Sequence, residues 1–523
     1  MSATRSAAFD RTTLAFLVVL VIATALRIEA LIISPLNLYY DEAQYWVWSR
    51  TFDWGYFTKP PMVAWAIAAT TSFFGNAEWA VRLAAPIAQS FAAFGIFAAG
   101  RSIYGAWPGF WAGIAWLVMP GVWFSAGIIS TDAVLLPFWA FALFAAWRLS
   151  QTRSYLWAVL LGVAVGLGAQ AKYAMLYFPL CLALAAYWSQ PVRESLKQWR
   201  GALAGAVALI VFAPNIIWNV RNHFVTAEHT ASNVGLDANS HLFNINNLVE
   251  FLIGQLLVFG PILFVVLVGF LWRSLRRQSA LRDEDRFLLA FILPPLVLVA
   301  IVAFVSRANA NWAVTAFPAA TVWVAGNLFV NKSARRLLAA ALALNVIIGA
   351  VIVTITLNPG SPIGTMLKGV RSASAWDETA RELAVRAATK PGDPPFTAVM
   401  VDSRETFFEL QYYWRQARQA GAPLPPVKMW MLRTRALNSA EALDPMRPAD
   451  GRRVMVVHAL AGYLPFVAGD FTTFRPVEHL TIPLGGNRNR NLDISVGEGF
   501  SPAPRDAAFE QRLRDRRQAG SES

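Results

Sequence analysis

"NLYYDEAQYWVWSRTFDWGYFTKPPMVAW", residues 37–65, decides how this chain is read. It follows an apolar run, residues 13–33, of the length that crosses a bilayer. It then places two adjacent acids, Asp41 and Glu42, and one lysine, Lys59, among many tryptophans and tyrosines. Amphipathic rings gather where lipid meets water. Ionisable groups close to hydrocarbon are costly, so they carry a functional presumption.

The rest of the composition agrees with a membrane setting. Of 523 residues, 56% are hydrophobic and only 15% charged, and the mean hydropathy is +0.43. A soluble domain that apolar would not stay dispersed, so an integral membrane protein is expected. The net charge of +13 does not point to nucleic acid, because the basic residues sit in short clusters between apolar runs. The single cysteine, Cys181, lies inside such a run, which excludes disulfides and thiolate metal sites. Residues 13–33 lack a cleavage pattern and are expected to be a first membrane anchor.

Apolar runs near 13–33, 80–100, 107–127, 130–148, 155–170, 173–188, 201–219, 248–271, 286–305, 312–330 and 335–357 predict about eleven spans. Arg101, then Arg148 and Arg153, then Arg193, Lys197 and Arg200, then Arg273 to Arg282, then Lys332 to Arg336 fall in alternate loops. By the positive-inside rule those loops are cytoplasmic. The opening stretch, the turn at Asp132, residues 220–247, the Ser306–Asn311 turn and everything after Leu357 are then outside. After Leu357 charge rises and long apolar runs end. "FTAVMV" (396–401), "RRVMVVHAL" (452–460), "LTIPL" and "LDISVG" read as strands, and "SRETFFELQYYWRQA" (403–417) as a serine-capped helix. The expected partition is a membrane domain over 1–358, an α/β domain over 359–500 and a disordered tail over 501–523.

Residues 39–78 read as two interfacial helices, the first with Tyr45, Trp46 and Trp48 as lipid-facing surface, the second opened by proline. Asp41 and Glu42 are candidate acids; the plainer reading makes them helix-start caps. Adjacent helical positions diverge by about 100°, so the two cannot cap alike. Lys59 suits an anionic phosphate at headgroup depth, or else snorkels to water. Asp132, in "SAGIISTDAVLLPFW", is a third acid or simply a cap.

"YYDEAQYWVW…WGYFTKPPM…W", the outer "TDA" and "NANWAVTAFPA" together resemble the membrane glycosyltransferases of the protein O-mannosyltransferase and lipid A aminoarabinose transferase superfamily. The likeness is closest to the bacterial enzymes that decorate lipopolysaccharide or other envelope glycans, and it covers roughly residues 10–330. It implies an α-helical polytopic membrane protein of the glycosyltransferase C type, with a small C-terminal α/β domain in the periplasm and a bacterial inner-membrane location. By position it implies that Asp41 is the catalytic carboxylate, Glu42 its acidic companion, Asp132 a further active-site acid, and Lys59 the contact to a polyprenyl phosphate. Lys172 and Arg307 are candidate additions to the phosphate cradle, or loop anchors. Tyr40, Tyr56 and Trp46 are candidates for the lipid and sugar groove. Some relatives carry an acid directly before that lysine, implicated in a metal site; here the position is Thr58, which leaves a divalent metal open.

The implied partners are a polyprenyl-phosphate sugar donor, a glycolipid or glycan acceptor and the lipid bilayer. The expected reaction is inverting transfer of a sugar to an envelope acceptor. The chemistry is consistent: a lipid-carried sugar needs no nucleotide pocket, and no Gly-rich phosphate loop follows a strand. An acceptor hydroxyl needs a carboxylate base, and a departing phosphate needs a cation. The alternative class is a transporter or flippase of lipid-linked sugars, which should show mid-membrane charge and internal symmetry. A third is an inactive scaffold, in which Asp41 tolerates substitution.

Overall fold

The computed structural model describes residues 10–226, 243–276, 281–388 and 394–521. Arg277 and much of the 220–247 loop lie outside them. The chain divides into two compact units, residues 1–34 with 52–354, and residues 35–51 with 355–523.

The first unit is a helical bundle. Among the described residues, six helices are long and apolar enough to cross a membrane: Arg11–Ile33, Glu78–Tyr104, Thr131–Thr152, Trp199–Arg221, Asp283–Val305 and Lys332–Leu357. Two further stretches are bent pairs. Ala106–Leu117 turns by 55° into Pro120–Gly127, and Ile245–Phe259 turns by 115° into Pro261–Arg276. Both breaks precede a proline, whose missing N–H and fixed φ interrupt the helical ladder. The straight span expected at 248–271 is therefore two helix arms meeting at Gly260, with φ +99°. Tyr155–Ala171 and Tyr173–Trp188 are shorter apolar helical stretches. Among the described residues, length and composition thus mark six to eight helices as candidate spans, with the shorter apolar helices beside them.

Close packing explains how short helices hold. On Tyr155–Ala171, Gly162 and Gly166 face Trp199–Arg221 so closely that an added Cβ would lie 2.5 Å from the Ala204 carbonyl oxygen and 2.6 Å from Val211 Cβ. Small residues four apart let two backbones approach where lipid supplies no hydrophobic drive. At one end of the bundle, Tyr104 and Trp323 both donate to Asp285, at 3.2 and 2.9 Å, and Arg282 pairs with the same carboxylate at 3.0 Å. Arg101 closes the same end on Asp10 at 2.8 Å.

The second unit holds a five-stranded sheet whose strands lie in the order Val427–Met429, Ala398–Val401, Arg453–His458, Arg488–Phe500, Phe471–Gly485. β1 (Ala398–Val401) runs parallel to β2 (Val427–Met429) and to β3 (Arg453–His458). β5 (Arg488–Phe500) is antiparallel to β3 and to β4 (Phe471–Gly485). Every residue of β1 is buried, as the continuous apolar run of a central parallel strand requires. The helix Arg404–Tyr413 is capped by Ser403, whose hydroxyl accepts from the Glu405 amide at 3.2 Å.

Two expectations change here. Among its described residues, 501–521, the tail is not disordered: Ala507–Ser521 is helical, and Phe509 and Leu513 are 1% and 2% exposed in the core with Met400, Val456 and Phe471. Buried Asp470 ties the segment down, accepting from the Ala503 amide at 2.8 Å and pairing with Arg505 at 2.6 Å. Its polar, arginine-rich composition hid two buried apolar residues one helical turn apart. Phe509→Ala should cost about 3–5 kcal/mol, read as a lower unfolding midpoint of the full-length protein, whereas exposed Arg514→Ala should leave it unchanged.

The second change concerns the opening stretch. Tyr40–Trp48 is a helix, but it belongs to the second unit with the sheet rather than lying as part of a contiguous 1–358 domain. Tyr45, Trp46 and Trp48 are 5%, 7% and 2% exposed and are not lipid-facing. Trp46 packs edge-on against Tyr412 at 5.1 Å, and Trp48 donates its indole N–H to Ser439 at 3.0 Å. Aromatic rings satisfy a protein interior as well as an interface, so composition alone could not choose.

Candidate active site

Within the bundle, a second polar network forms at the end where Thr131–Thr152 begins and Tyr155–Ala171 finishes. Ser130 caps the first of these helices, accepting from the Ala133 amide at 3.2 Å. That leaves Asp132 without capping work. Its carboxylate instead takes Lys172 Nζ on one oxygen at 2.7 Å and Asn311 Nδ2 on the other at 2.7 Å. Lys172 is the residue on which Tyr155–Ala171 ends, and Asn311 belongs to the 3-10 turn Ala310–Ala316. Asn311 was within the quoted "NANWAVTAFPA" but was not singled out; an amide carries no charge to draw attention.

The same end holds the Lys59 segment. Tyr56 donates its amide to the Lys59 carbonyl at 3.0 Å, making a turn. Asn215 donates to the Trp54 carbonyl at 2.7 Å, and Thr226 to the Tyr56 carbonyl at 2.8 Å. Asn215 in turn accepts from the Tyr173 hydroxyl at 3.0 Å, the residue after Lys172. The turn bearing Lys59 and the residue bearing Lys172 are therefore fastened to one helix end, Trp199–Arg221. Lys59 is half-buried, Tyr56 is buried, and Arg307 is exposed. Burial pushes the Tyr56 phenol up to about 12, so it stays neutral and able to donate.

Lys172 was expected as a phosphate contact, and the structure shows it paired with a carboxylate. The two readings are compatible, because an ammonium has three donors and one hydrogen bond to Asp132 leaves two for a ligand.

In the second unit, the adjacent acids part company. The Tyr39 amide donates to Glu42 Oε2 at 2.9 Å, and Glu42 is fully buried. Glu42 therefore caps its own helix. Asp41, part-exposed, faces Arg404, whose Nη2 lies 3.8 Å from Asp41 Oδ1. The Arg404 guanidinium also sits over the Tyr40 ring at 4.8 Å. Burial disfavours the Arg404 cation, but Asp41 and Tyr40 outweigh it and raise its pKa. Trp46 is interior here, between Tyr412 and the Arg415 guanidinium. Arg404 had no sequence signal of its own beyond starting a capped helix.

A divalent ion would need a cluster of hard donors. Among the described residues, no group of three or more His, Cys, Asp or Glu side chains is placed to hold one, and Thr58 is buried with a neutral hydroxyl.

Residues 58–218 match the family model described as dolichyl-phosphate-mannose-protein mannosyltransferase. That stretch contains Lys59, Asp132 and Lys172. The chain is 34% identical over 314 residues to the lipid A galacturonosyltransferase RgtD of Rhizobium johnstonii, covering 59% of this chain and 64% of that protein. It is 26% identical over 144 residues to the lipopolysaccharide core galacturonosyltransferase RgtB of the same organism, 26% of this chain and 29% of that one. The chain thus spans less than two thirds of the length of these relatives. Among solved structures, ArnT from Cupriavidus metallidurans, bound to undecaprenyl phosphate, superposes with a TM-score of 0.61 at 16% identity, covering 94% of this chain and 99% of that one.

Proposed function

We propose that the chain is a membrane glycosyltransferase of the glycosyltransferase C type that transfers a sugar from a polyprenyl-phosphate donor to lipid A or the lipopolysaccharide core, a reading supported by the family-model match and the likeness to RgtD. The observation that carries this reading is the 34% identity with a lipid A galacturonosyltransferase, on a chain with the ArnT fold. It favours a galacturonosyl group as the sugar. The relatives are transferases, which weighs against the transporter alternative. The alternation of basic loops in the sequence supports a periplasmic location for the reaction and the C-terminal domain, at the bacterial inner membrane.

The residues supply the chemistry as follows. Asp41 takes the proton from an acceptor hydroxyl as its oxygen attacks the anomeric carbon. The bond from that carbon to the phosphate oxygen breaks, and the polyprenyl phosphate leaves with the electron pair. A single displacement inverts the anomeric centre. Lys59 neutralises the charge gathering on the leaving phosphate, with Lys172 and then Arg307 as further cations. Asp132 orients Lys172, so its role is to place an ammonium. Glu42 holds the helix start on which Asp41 sits. Tyr40, under Arg404, fixes the surroundings of that acid.

Mass spectra of lipid A and core from cells with and without the chain test the assignment. Its presence should add one uronic-acid residue, and the purified protein should make the same product from a polyprenyl-phosphate galacturonosyl donor. Unaltered glycolipid mass together with no transfer in vitro would remove the proposal.

A further inference from the structure

We propose that Arg404, supplied by the sheet unit, is the positioning residue for Asp41: it holds that carboxylate aimed, without itself touching the reacting atoms. The inference rests on the catalytic reading of Asp41.

The helix that carries Asp41, Tyr40–Trp48, has nine residues, too few to be stable or oriented by itself. Its placement comes from the sheet unit. Before it, the Trp376 amide donates to Asn37 Oδ1 at 2.7 Å and the Leu38 amide to the Tyr413 hydroxyl at 3.0 Å. After the acid, Trp46 packs on Tyr412, and Trp48 is hydrogen-bonded to Ser439. Most of these contacts come from the helix Arg404–Tyr413 or its near neighbours, and Arg404 is its first residue.

Arg404 itself stands on a rigid support. Two residues earlier, Asp402 leaves the end of β1. Its carboxylate accepts the amides of Ala459 and Leu460 at 2.9 and 3.1 Å and lies 2.5 Å from His458 Nδ1. Both side chains of that pair are buried, at 1% and 0%. One carboxylate thus fastens the exit of β1 to the exit of β3, at the carboxyl ends of two parallel strands. From there Ser403 caps the helix and Arg404 projects over Tyr40 to Asp41.

The magnitude of the pair argues for a role in turnover. Asp41 and Arg404 are 36% and 34% exposed and 3.8 Å apart. A part-exposed, screened pair of this kind contributes little to stability. A fold already fixed by the Trp46, Trp48, Asn37 and Leu38 contacts does not need it. A base does, because an error of about 1 Å in placement costs on the order of a hundredfold in rate.

Full-length Arg404→Gln should lower kcat by about ten- to a hundredfold, with KM for donor and acceptor within about threefold and the unfolding midpoint unchanged. Arg404→Lys should recover part of that loss, since a cation is retained without the planar fork. Added to Asp41→Asn, Arg404→Gln should cost little more, because both changes remove one function. If Asp41→Asn is inactive while Arg404→Gln keeps its kcat, or the two losses multiply, the positioning role is wrong and the reading of Asp41 stands. If Asp41→Asn transfers normally, it is the reading of Asp41 that fails.

Discussion

Asp41→Asn should lower sugar transfer by about two orders of magnitude or more, the usual scale of general acid–base help, while the protein folds normally. The structure makes this a clean substitution. Capping of the Tyr40–Trp48 helix falls to Glu42, so an amide at position 41 removes no cap. The pair with Arg404 is part-exposed, so losing its charge leaves no deeply buried cation. Glu42→Gln is the contrast. It weakens a cap, so about 0.5–2 kcal/mol of stability is at stake, and turnover per folded molecule should change far less than for Asp41. Purified Asp41→Asn that transferred sugar at the normal rate would show that the acceptor is activated elsewhere.

Lys59→Ala should raise the apparent KM for the donor by roughly ten- to a hundredfold, as expected for losing a charge-assisted hydrogen bond of about 1.5–3 kcal/mol. Lys59→Arg should lose less, because a cation still faces phosphate. The competing role, anchorage of the turn at the membrane surface, predicts reduced stability in both variants and unchanged donor affinity. The structure separates these outcomes in advance. The turn is held through the backbone carbonyls of Trp54, Tyr56 and Lys59, none of which depends on the lysine side chain. Lys59→Ala should therefore keep these backbone hydrogen bonds. An unchanged donor KM at matched protein levels would move the phosphate contact to Lys172 or Arg307.

Asp132 and Lys172 were legible as charged residues at the mouths of apolar runs. Their pairing was not, because forty residues separate them and only packing of the two helices brings them together. A cation already matched by a carboxylate costs less in a half-buried place than one left alone, which is a reason to find them coupled. Trp46 and Tyr56 were read as groove-lining, yet both are interior. Ring chemistry is common to interfaces and cores, and nothing local distinguishes the two.

What the sequence determined by itself is therefore the part of the problem governed by local physics. Hydrocarbon length and the absence of charge mark where the bundle's helices run. The apolar runs at 396–401 and 452–460 mark buried strands, and Ser403 marks a helix start. The acids and lysine of residues 37–65 were conspicuous because charge beside apolar sequence is expensive. What only the tertiary structure decided is which of those charges meet. It joined residues 35–51 to a sheet that begins about 350 positions later, gave Glu42 to the helix cap, and set Arg404 beside Asp41. It also folded a polar-looking tail onto the core through Phe509 and Leu513. The reason is common to all of these. The free energy of a buried or paired group depends on what lies across from it in space, and a nine-residue helix has no means of choosing that neighbour alone.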